Sequence, residues 1–425
     1  MSVSQPVPSR QTGNAALSAE LSELLSVVEP SSVVNVMLQR GFVHEATDIH
    51  MDPTPAGVRV RFRVDGAMQD IFPIPAEKAH HIISRIKVLG GMDITGKRLP
   101  QDGTIAADQI PGMPRDVRVG SSLTVYGERI VLRLLPDSTE FVTPESLGLL
   151  DSQLAAVEQL TAAPYGLLLV VGPVGSGKTT TVYSLLSQLN QPDKSVVTIE
   201  DPVERRVTGA NQIQIDPKSG LLFANALRGV LRQDPDVIAI GEIRDAETAQ
   251  IACRAATTGV LVLSTLHANN TGSAIDVLRH FGVSSMAISD CLRGVIAQRL
   301  VRRVDTRSIE EYEASSNERR MLGVRGDETL TLARGKRTEE NFHTGFHGRT
   351  AVFETMPVSP AIRAAISDGA AAFSIRNRAV AEGMVQLEDS ARQLVLDKKT
   401  TTGELTRVMH DVRMYEGFGE EGTTA

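Results

Sequence analysis

The chain has 425 residues, of which 41% are hydrophobic and 22% charged, with a formal net charge of -7. A single hydrophobic core stops growing near roughly 250 to 300 residues, so this length indicates more than one domain, and the composition excludes a disordered or fibrous chain. The acidic balance argues against bulk electrostatic binding to nucleic acid or to an anionic bilayer, although it leaves a local basic patch open.

Neither the cysteines nor the apolar runs indicate secretion or insertion into a membrane. Cys253 and Cys291 are too few for a disulfide framework or a four-thiolate zinc site, and both lie in apolar stretches. No run approaches the roughly 20 apolar residues that span a bilayer, and the first residues lack the apolar region of a signal peptide. We therefore expect a cytoplasmic protein.

The first part of the chain has the pattern of a small α+β domain. After a polar segment over 1–32, residues 33–135 combine helical and alternating patterns. The predicted elements are a helix over 33–41, a hairpin over 57–64 and 67–71, a helix over 76–89, and strands over 116–119 and 128–135. Within the polar segment, leucines at helical spacing over 17–28 predict a short helix that either packs or docks on a partner.

The second part of the chain has the hydrophobic pattern of a parallel sheet that is buried on both faces. Proline and polar residues predict a linker over 136–147, and short apolar runs then alternate with segments long enough for helices across 148–303. These runs cover 166–171, 195–199, 237–240 and 260–264. A doubly wound α/β domain is therefore predicted, followed by a charged insert over 304–345 and a helical C-terminal region over 346–425.

A complete phosphate-binding loop, G-x-x-x-x-G-K-[ST], follows the first of these apolar runs and precedes a helical pattern. Its glycines allow backbone N–H groups to point at phosphate oxygens, Lys178 supplies a charge for the β- and γ-phosphates, and the Thr179 hydroxyl suits Mg²⁺. The residues expected to bind the nucleotide are Gly172, Pro173, Val174, Gly175, Ser176, Gly177, Lys178, Thr179 and Thr180. The alternative is a chance glycine-rich turn.

Polar side chains also follow the other predicted strands. Glu200 ends the run over 195–199, Glu242 follows the run over 237–240, and His267 follows the run over 260–264. A carboxylate in such a place can hold a metal or orient a water near the phosphates, and a histidine can contact the γ-phosphate. Taken singly, each is also compatible with a solvated loop residue, a helix cap or a structural histidine.

Several ordered segments resemble those of a known family, the type II secretion and type IV pilus assembly ATPases. Val197–Glu204, Leu231–Thr248 and Ser264–Asn269 are similar to its aspartate box, Walker B segment and histidine box. Ala46–Pro53, Val60–Gly66, Leu99–Gly103 and Val117–Val119 resemble motifs of its smaller N-terminal domain. The resemblance extends from about Val33 to Arg407 and implies a RecA-like ATPase domain with a PAS-like α+β domain before it.

The resemblance also implies roles for individual residues. Glu200 is expected to activate the water, Glu242 to hold Mg²⁺ and the water network, and His267 to report the state of the γ-phosphate of ATP. Arg118 and Arg133 match arginines that approach the phosphates as arginine fingers. Four further arginines match basic positions of the family but are equally compatible with structural salt bridges: Arg228, Arg232, Arg244 and Arg349.

The insert over 304–345 departs from the family pattern. Secretion and pilus-extension members usually carry two C-x-x-C pairs that hold zinc there. The corresponding positions in this chain fall near Asp305 and Ser308 and near Thr338 and Asn341, and none is a cysteine. We therefore expect the insert to be present, free of zinc and held by packing alone.

Two histidines of the same segment require a separate assessment. His343 and His347 have the spacing of metal ligands on a helix. Gly345 and Gly348 indicate a turn instead, so we do not expect zinc there.

The start of the chain also departs from the family pattern. Only about 30 residues precede the matched part, and docking through the family's additional N-terminal domain is not expected.

The resemblance implies a homo-hexameric ATP-hydrolysing motor that powers assembly of a pilus or pseudopilus. Such a motor acts on an inner-membrane platform protein, is peripheral to the membrane through its partners and has no direct contact with nucleic acid. A hinge over 136–144 would couple loss of the γ-phosphate to domain rotation. The alternatives are a pilus retraction motor, a nucleic-acid translocase and a catalytically inactive scaffold.

Overall fold

A computed structural model of the chain describes residues 14–27, 29–95, 99–134, 143–325 and 329–416. The chain forms two compact units. The first contains residues 1–137, 305–310 and 335–348, and the second contains 138–304, 311–334 and 349–425. Within the described ranges, no helix is both long enough and apolar enough to cross a membrane. Most of the predicted linker, residues 136–142, lies outside these ranges.

The first unit is built on a six-stranded sheet with the order β3-β2-β1-β6-β5-β4. Its elements are α1 (Ala15–Val27), α2 (Pro30–Val43), β1 (Asp48–Thr54), β2 (Gly57–Val64), β3 (Ala67–Pro75), α3 (Ala76–Leu89), β4 (Gln101–Ile105), β5 (Val117–Thr124) and β6 (Gly127–Leu134). The pairs of neighbouring strands are antiparallel. The predicted hairpin and the helix over 76–89 are confirmed.

The core of the first unit follows from the alternation along its strands. In β2, Val58, Val60 and Phe62 are buried, while the arginines between them lie on the opposite face. Helix α1 adds Leu17, Leu21 and Leu25, which are buried in the same core. The helix predicted over 17–28 therefore packs within its own unit, so these leucines are not available as a surface for partner docking.

From residue 151 onward the chain forms most of its helices and a second large sheet. The elements are α4 (Asp151–Thr161), β7 (Gly166–Val171), α5 (Lys178–Leu189), β8 (Val196–Glu200), β9 (Asn211–Gln214), α6 (Phe223–Val230), β10 (Val237–Ile240), α7 (Ala246–Thr257), β11 (Leu261–Leu266), α8 (Thr271–His280), α9 (Ser285–Cys291), β12 (Leu292–Val304), β13 (Ile309–Glu313), α10 (Ser316–Leu322), β14 (Thr331–Gly335), β15 (Phe346–Pro357), α11 (Pro360–Ser367), α12 (Ala372–Ala381), α13 (Leu387–Leu396) and α14 (Thr402–Glu416).

The second unit contains a seven-stranded sheet with the order β15-β12-β7-β11-β10-β8-β9. Strands β7, β11, β10, β8 and β9 pair in parallel, and β12 is parallel to β7. Leu167 and Leu169 of β7 pack into one core cluster, whereas Leu168 and Val170 pack into another. Successive side chains of a strand point to opposite faces, so both faces of this sheet are covered and the predicted α/β fold is confirmed.

The last part of the chain differs from the sequence expectation at its start. The region expected to be helical from residue 346 begins with the 12-residue strand β15. Residues Ala351–Met356 of β15 are buried without interruption, as in a strand covered on both sides. Helices α11 to α14 follow, so the prediction of C-terminal helices is confirmed beyond the strand.

The insert is held by hydrogen bonds as well as by packing, so the expectation of packing alone was wrong. Asn341 Nδ2 lies 3.1 Å from Asp305 Oδ2 and 3.4 Å from Ser308 Oγ, and Asn341 Oδ1 accepts the backbone N–H of Thr338 at 3.0 Å. Arg307 Nε donates to Asp305 Oδ1 at 2.9 Å. Asp305, Ser308, Thr338 and Asn341, near which the resemblance placed zinc-binding cysteines, therefore meet in one hydrogen-bonded cluster, which we call the insert cluster.

Candidate nucleotide site

The phosphate loop joins β7 to α5, and Gly172 and Gly177 show why its backbone needs glycine. A Cβ atom on Gly172 would lie 2.5 Å from Ser176 Oγ and 2.6 Å from the carbonyl oxygen of Gln298, which is too close for any side chain. Gly177 has a φ of 88° and immediately precedes Lys178, the first residue of α5. The amino end of α5 therefore points its free N–H groups toward the loop.

Lys178 lies within this loop. Its Nζ donates to the carbonyl oxygens of Gly172 and Pro173, at 2.9 and 3.0 Å. Burial lowers the pKa of Lys178, the negative charge of Glu242 raises it, and the positive charge of Arg299 lowers it further. The charge of the lysine therefore interacts with both a carboxylate and a guanidinium, beside the loop where phosphate oxygens would bind.

The predicted polar residues lie at the carboxyl ends of parallel strands next to β7. The strand order places β11, β10 and β8 successively beside β7. Glu200 is the last residue of β8, His267 directly follows β11, and Glu242 follows β10 by two residues. Since the carboxyl ends of parallel strands meet at one edge of the sheet, all three lie on the edge where the phosphate loop begins.

Glu242 is the centre of a small cluster of charged and polar side chains. Its Oε1 lies 2.9 Å from His267 Nε2, and its Oε2 accepts a hydrogen bond from Arg244 Nε at 2.8 Å. Arg244 also contacts Asp201 at 3.3 Å. The hydrogen bond to Glu242 raises the pKa of Arg244. Four arginines were compatible either with basic positions of the resembled family or with structural salt bridges, and of these Arg244 contacts the residues of this site.

Glu200 has a different environment, made of neutral donors. The residue is only 7% exposed. Tyr183 donates its hydroxyl hydrogen to Oε2, while Thr198 Oγ1 and Gln212 Nε2 donate to Oε1 at 2.5 and 3.1 Å. The carboxylate is therefore buried but hydrogen-bonded on both oxygens, as a buried charge requires.

Two residues that the sequence analysis did not assign support the loops of this site. Gln298, which is 1% exposed, donates from Nε2 to the carbonyl oxygen of Ser176 at 2.6 Å. Arg299 donates from Nη2 to the carbonyl oxygen of Asn269, in the loop after His267, at 2.8 Å. The sequence feature that could have identified them is a pair of polar residues within the mostly apolar strand β12. Buried polar side chains need hydrogen-bond partners, so such a pair indicates contacts with other parts of the chain.

The other arginines lie elsewhere. Arg118 and Arg133 belong to the first unit, where they face each other across β5 and β6, and Arg133 Nε donates to Asp48 at 3.2 Å. Arg228 forms an ion pair with Glu247 at 2.6 Å, and Arg232 donates to the backbone oxygen of Arg228. Arg349 is exposed near the start of β15.

Comparisons with known proteins agree on one family. Residues 25–407 match the family described as Type II/IV secretion system protein. Type II secretion system protein E of Xanthomonas campestris is 40% identical over 394 residues, which cover 92% of this chain and 69% of that protein. The type IV pilus assembly ATPase PilB of Thermus thermophilus is 40% identical over 374 residues, covering 88% of this chain and 42% of PilB.

Solved structures agree on the fold. The pilus retraction motor PilT, crystallised with ADP, is similar with a TM-score of 0.61 at 24% identity, covering 90% of this chain and 98% of PilT. The ATPase DotB of Legionella pneumophila is similar with a TM-score of 0.64 at 20% identity, covering 88% of this chain and 94% of DotB. Identities this low support the shared fold alone.

Proposed function

The chain belongs to the type II/IV secretion system protein family, and from this we propose that it is an ATPase motor that powers assembly of a pilus or pseudopilus. The observation that carries the proposal is the phosphate loop with Glu242, His267 and Glu200 at the carboxyl ends of adjacent parallel strands. Its relatives of about 40% identity are named for type II secretion and for type IV pilus assembly.

The proposed chemistry uses the side chains of this edge. Lys178 and the N–H groups at the start of α5 bind the β- and γ-phosphates of ATP. Glu200 accepts the proton of the attacking water, and His267 contacts the γ-phosphate. Glu242, which contacts His267 at 2.9 Å, holds that histidine in place. Lys178 then offsets the charge that develops as the bond to the γ-phosphate breaks.

The residues present also suit Mg²⁺. Thr179 offers a hydroxyl oxygen at the start of α5, and Glu242, whose side chain is 18% exposed, offers a carboxylate oxygen. Hard oxygen donors of this kind, few in number, are typical of Mg²⁺ sites shared with a substrate phosphate. When bound, the ion would neutralise part of the charge on the phosphates.

The proposed assembly and setting come from the family. We expect a cytoplasmic homo-hexamer that acts on an inner-membrane platform protein and is peripheral to the membrane through it. Arg118 and Arg133 are proposed to act as arginine fingers on the nucleotide. The insert is proposed to hold no zinc.

Charge pairing argues against the nucleic-acid translocase. One face of the first-unit sheet carries many arginines, but Asp48, Asp52 and Asp70 form ion pairs with nearly all of them. The arginines of this face are Arg59, Arg61, Arg63, Arg118, Arg129 and Arg133. A nucleic-acid backbone is bound through many unpaired positive charges at once, and this face offers few of them. A single arginine such as Arg133, whose side chain is 69% exposed, can still exchange its carboxylate partner for one nucleotide phosphate.

The test is steady-state ATP hydrolysis by the full chain with two substitutions. Lys178→Ala is expected to abolish turnover. Glu242→Gln is expected to bind ATP normally and to slow hydrolysis by about 100-fold or more, since charge and orientation at the reacting group contribute several kcal/mol. Lys194→Ala and Glu158→Gln change exposed residues of the same unit and serve as controls.

Two results would count against the proposal. Turnover at the wild-type rate in Lys178→Ala would remove the phosphate loop from the mechanism. Hydrolysis that is stimulated by duplex DNA, and loses that stimulation as salt is raised, would favour the translocase. In cells, Glu242→Gln is expected to stop filament assembly or secretion while the protein remains present.

A further inference from the structure

We propose that Tyr183, Thr198 and Gln212 position the Glu200 carboxylate so that a single acceptor site, on Oε2, remains for the attacking water. The inference rests on the proposed function, because it takes Glu200 as the group that accepts the proton. It adds residues that make no contact with nucleotide themselves and act only through Glu200.

The first step is the origin of the three donors. Tyr183 lies on α5, Thr198 on β8 and Gln212 on β9. Thr198 and Gln212 both donate to Oε1, at 2.5 and 3.1 Å, whereas the Tyr183 hydroxyl donates to Oε2. Three separate elements therefore fix the carboxylate, which restricts both its position and the rotation of its plane.

The second step is the acceptor capacity of the carboxylate. An ionised carboxylate offers about four lone-pair sites, roughly two on each oxygen. Thr198 and Gln212 occupy both lone-pair sites of Oε1, and Tyr183 occupies one site of Oε2. One site on Oε2 is left for a water molecule. A base with one available direction can orient the water that it deprotonates.

The third step is that the donors cannot easily reverse their roles. The Tyr183 hydroxyl oxygen accepts the backbone N–H of Arg205 at 3.1 Å. Its own hydrogen has two acceptors within reach, Glu200 Oε2 and the carbonyl oxygen of Arg205 at 3.2 Å, and the contact with the Glu200 carboxylate is the shorter. Burial, and then the hydrogen bond to Glu200, raise the pKa of Tyr183, which keeps it protonated. Gln212 Oε1 accepts the N–H of Val207 at 2.7 Å, and this fixes the amide with Nε2 toward Glu200.

The fourth step connects the base to the phosphate loop. Tyr183 lies on the same helix as Lys178, which is its first residue. The hydrogen bond from Tyr183 therefore ties Glu200 to the helix that begins at the phosphates. A small displacement of a base relative to the reacting atoms is costly for catalysis, so this tie sets the rate rather than the affinity for ATP.

The alternative is that the three bonds only satisfy a buried charge and support stability. The second unit offers a matched pair for comparison, because Tyr312 donates to Glu318 Oε1 at 2.7 Å, outside the nucleotide site. Burial and that hydrogen bond raise the pKa of Tyr312 to about 12. Tyr312→Phe removes the same kind of bond as Tyr183→Phe without touching Glu200.

The experiment measures kcat, KM for ATP and thermal stability of the full chain. Tyr183→Phe and Thr198→Val are each expected to lower kcat by about tenfold, part of the ~100-fold or more that a general base contributes, with KM changed less than about twofold. Thr198→Ser keeps the hydroxyl and is expected to restore kcat. Tyr312→Phe is expected to lower stability and leave kcat unchanged.

The outcomes separate this inference from the proposed function. Wild-type kcat in Tyr183→Phe and Thr198→Val would overturn the positioning role, and so would a Thr198→Ser variant whose kcat did not recover. If Glu200→Gln were inactive at the same time, the proposed function would stand without this inference. Wild-type turnover in Glu200→Gln would remove Glu200 as the base and this inference with it, whereas the proposed ATPase function would still be decided by Lys178→Ala. Should Tyr183→Phe fail to fold, Gln212→Leu on β9 provides the same comparison without altering α5.

Discussion

The two carboxylates at the edge of the second-unit sheet are surrounded by different chemistry. Glu242 is partly exposed and contacts Arg244 and His267, which are cationic or can become so. Glu200 is buried and receives hydrogen bonds from neutral groups only, among them Tyr183. A carboxylate beside cations is suited to balancing charge, whereas a buried one held by three neutral donors is fixed in its orientation toward a reacting water. The division of roles proposed above follows this difference.

Gln298 provides a prediction at the scale of one side chain. Its amide nitrogen donates to the carbonyl oxygen of Ser176 at 2.6 Å and so supports the phosphate loop from β12. Gln298→Leu removes that bond and leaves a buried carbonyl oxygen without its partner, which costs about 1–3 kcal/mol. We expect affinity for ATP to fall by about tenfold or more in a direct binding titration.

Gln153 is the matched control for this prediction. It is also a buried glutamine of the second unit, and its Nε2 donates to the carbonyl oxygen of Phe353 at 2.6 Å. Gln153→Leu should lower thermal stability by a similar amount without changing ATP affinity. Equal losses of affinity in both variants would show that Gln298 acts through general stability alone.

At the scale of elements, the insert cluster joins separate segments of the insert through hydrogen bonds. Asp305 is buried and is held by Arg307 and Asn341, which joins two segments that are 36 residues apart. Phe342, next to Asn341, is buried in the core of the first unit. The cluster therefore secures the ends of the insert on the first unit.

The insert cluster predicts a pH-dependent loss of stability. The hydrogen bond from Arg307 holds the pKa of Asp305 well below its usual value of 3.8. A carboxyl group with a lowered folded-state pKa stabilises the fold above its unfolded pKa, and this stabilisation is lost as the pH falls through the folded-state pKa. Asp305→Asn should therefore lower stability at pH 7 by about 1–3 kcal/mol, and the difference should shrink below about pH 4.

The measurement is thermal unfolding of wild type and Asp305→Asn at a series of pH values. Glu20→Gln serves as the control, because Glu20 forms an exposed ion pair with Arg40 in the same unit. Such pairs contribute only about 0–1 kcal/mol. A difference between wild type and Asp305→Asn that stayed constant from pH 7 to pH 3 would contradict the assignment.

The sequence predicted those elements whose pattern is local. The helix over 76–89 was predicted at its observed bounds because its apolar side chains recur at helical spacing, and β2, the first strand of the hairpin before it, alternates between buried and more exposed residues. Strand β15 was missed because its first residues, which include Gly348 and Arg349, interrupt the pattern before the buried run begins. Short-range periodicity does not show which sheet a strand joins.

The same limit applies to the candidate site. The phosphate loop is a contiguous motif, so its residues could be identified from the sequence alone. Gln298 contacts Ser176 across 122 residues, and Gln212 reaches Glu200 from another strand. Contacts between residues so far apart in the chain depend on the order of the strands in the sheet. The sequence pattern does not determine that order. The acceptor geometry around Glu200 could be obtained only from the structure.

On the scale of the whole molecule, neither unit is a single continuous stretch of chain. The chain passes between the units at residues 137, 304, 310, 334 and 348. A single cut cannot separate a complete first unit from a complete second one. Experiments on the arginines of the first unit therefore need the full chain.

Arg133 gives the prediction that belongs to this scale, since it lies in the first unit and its proposed target lies in the second. Arginine fingers are worth about 10³–10⁵ in turnover where they have been measured, so Arg133→Ala should reduce kcat by about 100-fold or more. Arg129→Ala, on the same strand and paired with Asp52, is the control. Equal turnover in the two variants would exclude the finger role of Arg133.

The support of the phosphate loop by β12 has a consequence for synthesis of the protein on the ribosome. The loop is made early, but Gln298 emerges 122 residues after Ser176, and Glu404, which holds Arg302 at the end of β12, follows that arginine by a further 102 residues. A nascent chain therefore carries an unsupported loop through much of its translation. The loop should reach its final affinity for nucleotide only after β12 has left the ribosome, and a chain truncated before Gln298 is expected to bind ATP more weakly.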